Sequence, residues 1–329
     1  MNTRSSDTRI IPVVVHVIHN GGPENISDAQ ILSQIQVLNE DYGKLPGTNG
    51  DGDGVDTRIR FCLAKISPDG HCTNGIVRVK SSLTDHQSFE RSLLKQLSFW
   101  DNDRYLNIYV VQDIDNNSGT LGYSSFPDGP DDEDGFVVKH VAVGTMGTAQ
   151  SPYNLGRTCS HELGHWLGLY HTFNGGCGTD TCTTGDLVCD TPPAADPNFG
   201  CPLTANSCSN EVPDVNDQVR NYMDYTNDAC KDLFTAGQRD RAHGMLDLFR
   251  WDIWQPSNTW STGCDSSYVS PVCAVVAAFT TLGQALCTGN SIEYISTSLN
   301  DPLTYQWYFP GGVPSTSTTQ NTVVNYAAP

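Results

Sequence analysis

Basic residues are scarce in this chain: 18 Lys and Arg stand against 37 Asp and Glu, a formal charge of −19 over 329 residues. That balance excludes nucleic acid and anionic membrane surfaces as natural partners and suits a protein that binds cations. Long apolar runs are missing as well. No stretch approaches the ~20 consecutive apolar residues that a membrane helix needs. Met1 to Arg9 is polar and lacks the apolar centre of a secretory signal, so a mature form is expected. Paired Cys-x-x-Cys knuckles do not occur, although the chain has 12 cysteines. A reduced structural zinc cluster is therefore disfavoured. Cysteines set among Gly, Asn, Pro and Thr read instead as disulfides formed in an oxidising, extracellular setting.

What is present centres on His161-Glu162-Leu163-Gly164-His165-Trp166-Leu167-Gly168-Leu169-Tyr170-His171. On a helix His161 and His165 leave the same face one turn apart, a spacing that lets two imidazoles share one zinc ion. A catalytic zinc wants three protein ligands and an open position. His171 supplies the third only if the helix stops, and Gly168 can stop it by taking a left-handed conformation. Glu162, beside a ligand, is placed to accept a proton from a water activated at the metal. The other histidines (His16, His19, His71, His86, His140 and His243) lack ligand spacing and are left out of the site.

Around that stretch, Arg9–His19 is a β-branched run that reads as a buried strand. Ser27 caps a helix with Ile31, Ile35 and Leu38 at helical spacing. Strands are expected near Arg58–Ser67, Ile76–Lys80, Tyr105–Ile114, Leu121–Phe126 and Gly135–Gly144, and a helix near Ser88–Phe99. The acidic run Asp131–Asp134 reads as a solvated loop. Residues 174–220 are irregular and need disulfides or metals to stay ordered. Thr235 and Gln238 form a capping box for a further helix. From Val272 the composition turns to Thr, Ser and Val with strand-like Ser291–Ile295 and Thr304–Phe309, the start of a β-sandwich.

The zinc stretch matches HExxHxxGxxH, and Asn221-Tyr222-Met223-Asp224-Tyr225 resembles the turn in which a methionine underlies the three histidines of metzincin proteases. With Gly156-Arg157-Thr158 and Asp190-Thr191-Pro192, the chain resembles the pappalysin family, specifically secreted members of the ulilysin type, over roughly residues 9 to 250. The resemblance implies an α+β metzincin fold: a twisted mixed sheet and an active-site helix above a cleft, closed below by an irregular disulfide-rich lobe. It divides the chain into a catalytic domain (1–260), a linker (261–271) and a partial module (272–329). That module resembles a PKD-like sandwich through Ser296-Thr297-Ser298 and Tyr305-Gln306-Trp307-Tyr308-Phe309-Pro310-Gly311-Gly312.

The resemblance further implies a secreted, monomeric endopeptidase acting on protein substrates. In it Tyr225 stabilises the oxyanion, Met223 is a structural floor, and Gly122 and Tyr123 lie on the edge strand that pairs with substrate. It implies calcium in the loops after the helix, with Asp180, Asp186, Asp190 and Thr191 as oxygen ligands. Asp228 would favour Arg or Lys just after the scissile bond. Disulfides Cys182–Cys208 and Cys201–Cys230 follow from the same resemblance, leaving Cys177–Cys189 and Cys62–Cys72 as further expected pairs. The competing function is a non-catalytic extracellular binding or adhesion protein on a protease scaffold.

Overall fold

The computed structural model describes residues 8–116, 118–178, 182–209, 214–265, 267, 277–282, 291–296, 298 and 304–326. The β-branched run forms strand β1 (Arg9–His19), buried from Ile11 to Ile18. It runs parallel to β2 (Ile59–Leu63) with its first half and to β3 (Ile76–Lys80) with its second. A short β4 (Asp85–His86) follows, then β5 (Leu106–Val111), which is also parallel to β1. β6 (Asp113–Ile114) pairs with β4. The sheet runs β2-β1-β5-β8-β7 and ends on β7 (Gly122–Ser124), antiparallel to β8 (Phe136–Lys139). A strand covered on both faces needs apolar side chains at every position, which is why β1 is a continuous apolar run.

Alternation along β1 feeds separate cores. Ile11, Val13, Val15 and Val17 join a cluster with Ile31, Ile35 and Leu38 of α1 (Asp28–Gly43), while Val14 and Ile18 pack on the opposite face. Ser27 caps α1 as expected, its hydroxyl accepting from Gln30 N–H. The helix expected at Ser88–Phe99 shrinks to a 3-10 turn and α2 (Arg91–Lys95). Its stripe Phe89, Leu93 and Leu97 faces outward, so no core prolongs it. The catalytic-stretch helix is α3 (Arg157–Trp166), whose residues are all buried. After α4 (Ala236–Phe249), opened by the Thr235–Gln238 capping box, comes α5 (Pro256–Ser261).

Disulfides correct part of the expectation. Cys201–Cys230 forms as expected, but Cys177 pairs with Cys208 and Cys182 with Cys189, reversing the assignment of Cys177 and Cys182. These cysteines sit five positions apart in an irregular lobe, so chain order alone does not say which of them approaches Cys208. Cys62 does not meet Cys72: it joins Cys264, across a separation of 202 residues, and Cys72 is bridged elsewhere. Cys159 on α3 is a buried thiol. Cys273 and Cys287 lie outside the described residues.

By its contacts the chain falls into two units, residues 1–64 with 75–268, and residues 65–74 with 269–329. The second unit carries an antiparallel sheet built from β9 (Phe279–Leu282), β10 (Ser291–Ser296), β12 (Gly312–Val313) and β14 (Asn321–Tyr326), in the order β12-β14-β10-β9. Beside it, β11 (Trp307–Tyr308) pairs with β13 (Thr316–Ser317). Phe309 and Val324 are buried there, and Phe309 packs 4.8 Å from the Tyr294 ring.

Candidate active site

α3 ends where the sequence requires it to. Gly168 has φ +81°, its N–H donates to His165 C=O, and Leu169 N–H reaches back to Gly164 C=O. This paired arrangement is the glycine-dependent helix stop that turns a chain back on itself. It brings His171 to the face that carries His161 and His165. The three Nε2 atoms lie 3.0–3.1 Å from one another.

Their tautomers follow from their partners. His161 Nδ1 lies 2.8 Å from Tyr222 C=O and His165 Nδ1 lies 2.8 Å from Leu169 C=O. A carbonyl only accepts, so each Nδ1 carries the hydrogen and each Nε2 turns a lone pair to the centre. His171 is held by Phe173, stacked at 4.7 Å. Burial disfavours the charged imidazoles: His165 is pushed down to about 4, His171 to about 3, and His161 lies well below the usual range. Three neutral nitrogens meeting at one point are a donor set for a metal ion of the zinc type. Among the described residues, this is the group of His, Cys, Asp or Glu side chains close enough to hold one.

A cavity of about 580 Å³ opens over the histidines; Glu162, Tyr225 and the residues of β7 line it. Glu162 is 6 % exposed, and burial pushes its carboxyl up to about 8, with Lys231 acting in the opposite sense. Tyr225 is 38 % exposed, its ring 4.8 Å from that of His171. Met223 is fully buried beneath α3, its sulfur filling the space that a Cβ on Gly164 would take.

The terminal strand β7 runs against the catalytic helix. A Cβ on Gly122 would stand 2.9 Å from Glu162 Cγ and Oε1 and 2.9 Å from Val137 C=O, closer than side chains tolerate. Gly122→Ala is therefore expected to displace Glu162 or the strand, and misplacements of ~1 Å cost on the order of 100-fold. Turnover measured at unchanged metal content checks this. Tyr123 turns its hydroxyl to His86 Nε2 at 2.8 Å, so it offers the cavity mainly backbone.

The remaining expected residues are not among those that line the cavity. Asp228 is 1 % exposed, and its Oδ2 accepts from Leu155 N–H at 2.8 Å and Arg157 N–H at 3.2 Å, capping the start of α3. Asp186 accepts from Val188 N–H and the Thr191 hydroxyl, whereas Asp190 turns to the start of α4, accepting from the Thr235 hydroxyl and Gly237 N–H. Asp180 lies outside the described residues.

Some working residues escaped the sequence reading. Asp134, assigned to a solvated loop, is 3 % exposed and forms a two-pronged ion pair with Arg250 at 2.6 and 2.9 Å. The same carboxylate accepts from Trp166 Nε1 at the end of α3. Lys231, in the wall of the cavity, carries no motif that marks it in the sequence.

Comparison with known proteins agrees with this geometry. The family model described as Pregnancy-associated plasma protein-A, a peptidase family, matches residues 91–247. An extracellular metalloprotease of Coccidioides posadasii is 35 % identical, the alignment covering 71 % of this chain and 76 % of that one. One of Verticillium alfalfae is 43 % identical with the same coverage. Among solved structures, mature mirolysin of Tannerella forsythia in complex with a cleaved peptide superposes with TM-score 0.69 at 37 % identity, over 78 % of this chain and 99 % of that one. The chain belongs to the pappalysin family of metzincin metalloproteases, and its first unit is a metalloendopeptidase fold.

Proposed function

We propose that the protein is a secreted zinc-dependent endopeptidase in which Glu162 is the general base. The convergence of the three Nε2 atoms in a cavity shared with Glu162 carries this reading. His161, His165 and His171 would hold the ion. Zinc there supplies Lewis acidity toward a peptide carbonyl and lowers the pKa of a water toward ~7.

The chain's own residues do the rest. Terminal strand β7 lines the cavity and offers backbone groups to an extended peptide, which would add to the sheet as a further strand. Glu162 takes the proton from the attacking water and can return it to the leaving nitrogen. The Tyr225 hydroxyl is the donor for the negative charge that grows on the carbonyl oxygen. Extracellular placement accords with the names of the relatives and with the disulfides of the first unit. We read residues 272–329 as PKD-like.

Casein hydrolysis that disappears with a chelator and returns with zinc, at about one zinc per chain, is the expected result. Folded zinc-loaded protein that cleaves nothing would instead favour a binding protein on this scaffold, and chelator-resistant hydrolysis would remove the metal from the mechanism.

Calcium belongs to the same proposal, with Asp186 and Thr191 as its best-supported ligands. They are adjacent and buried, and desolvation pushes the Asp186 carboxyl up to about 6, a cost that a cation would relieve. Millimolar calcium is expected to raise the melting temperature of zinc-saturated protein; an indifferent melting temperature removes calcium from the account. The Arg or Lys preference implied through Asp228 needs that carboxylate to reach the cavity. Profiling wild type and Asp228→Ala on a peptide library tests it: an unchanged preference after the mutation would show that Asp228 does not set it.

A further inference from the structure

The turn that ends α3 fixes two of the three histidines. His171 follows it directly, and its Leu169 C=O accepts from His165 Nδ1 at 2.8 Å. His161 is set elsewhere, by Tyr222 C=O. Among the described residues His171 meets the Phe173 ring but no carbonyl, so its place depends on the path of the chain from Gly168 onward. α4 holds that path from outside. Arg241 donates through Nε to Gly168 C=O at 2.7 Å, and its guanidinium lies 5.1 Å over the Tyr170 ring. Met245, one turn further along α4, packs on the same glycine: a Cβ there would stand 2.6 Å from Met245 Cγ. Carbonyls at a helix end lack partners within the helix, and a cation beside them also complements the helix dipole.

We propose that Arg241 is a positioning residue for the metal site: its bond to Gly168 C=O fixes the turn that delivers His171 and orients His165. The inference rests on the zinc reading of the three histidines. A nitrogen delivered by a turn is competent to bind only while the turn keeps its shape, and apparent affinity falls with the fraction of time that it does not. Groups that hold metal ligands in place are typically worth about 10–100-fold in metal affinity. Arg241 suits that task. Its charge strengthens the bond to the carbonyl, and the Tyr170 ring beneath the guanidinium restricts where it can go.

The test is the zinc dissociation constant, read by competition with a chromophoric chelator, for wild type, Arg241→Met and Arg241→Gln. Methionine puts a methyl group where Nε stands and glutamine puts an amide nitrogen there, so the two variants differ in the donor. Arg241 also acts through space on Asp186, so calcium is kept saturating throughout. Arg241→Met is expected to weaken zinc binding by about 10–100-fold, and Arg241→Gln to recover most of that loss. If the methionine variant does not fold, Arg241→Lys keeps the charge without a nitrogen at that place and is compared with glutamine in the same way, with a smaller loss expected. A methionine variant with wild-type zinc affinity overturns the inference, even if its metal-free form melts lower, since that marks a merely structural role. A glutamine variant that binds zinc no better than the methionine one overturns it as well. Either result leaves the endopeptidase reading intact, whereas folded wild type that takes up no zinc overturns both.

Discussion

Glu162→Gln is expected to abolish most peptidase activity while the protein keeps its metal and its fold. All three histidines stay, and the amide matches the carboxylate in shape, so the change removes the proposed base and little else. General-base catalysis contributes about 10²–10⁴-fold, and the loss should fall on kcat with little change in KM. The geometry separates this from a stability effect. Glu162 is 6 % exposed, and in the metal-free protein burial already disfavours its charged form, pushing the carboxyl up to about 8. Replacing it with a neutral group should therefore not lower the melting temperature of the metal-free protein. Residual turnover within tenfold of wild type, free of contaminating protease, would remove Glu162 from the mechanism. A fall in melting temperature would show that the loss was structural. Glu162→Ala should lose as much activity, which separates loss of the base from any effect peculiar to the amide.

The histidine stretch was legible because its rules are local. Helical spacing places His161 above His165, and a glycine stop brings in His171, with no information needed from outside those residues. The central strand was legible for the same reason, since its apolar run states its own burial. What a carboxylate does is not local. Asp228 looks like any acid beyond a turn, but its partners are backbone N–H groups 73 and 71 positions away. Asp134 sits in a run of acids that reads as solvated, and its guanidinium partner is 116 positions away. The disulfides show the same limit. Cys201–Cys230 followed from the resemblance, but which of Cys177 and Cys182 approaches Cys208 depends on how an irregular lobe is laid down.

Asp134→Ala is expected to be among the most destabilising single changes in the first unit. Its carboxylate takes two bonds from Arg250 and one from Trp166 Nε1, which fastens the end of the catalytic helix to the end of α4 and to the segment that enters β8. The Arg250 guanidinium also lies 4.1 Å over the Trp166 ring. Asp134 and Arg250 are 3 % and 7 % exposed, so deleting the acid leaves a guanidinium in a site that water hardly reaches. Breaking a buried pair in this way costs about 3–5 kcal/mol, mostly as the penalty of the uncompensated charge rather than the worth of the pair. For a unit of this size, that corresponds to a melting temperature roughly 6–20 °C lower. Since the penalty lies in the orphaned charge, Asp134→Leu combined with Arg250→Met should be more stable than Asp134→Ala, although Trp166 Nε1 loses its partner in both. Calorimetry on the zinc-loaded variants decides it. A double variant no more stable than Asp134→Ala would mean that the three bonds themselves, and not relief of a buried charge, hold this end of the catalytic helix in place.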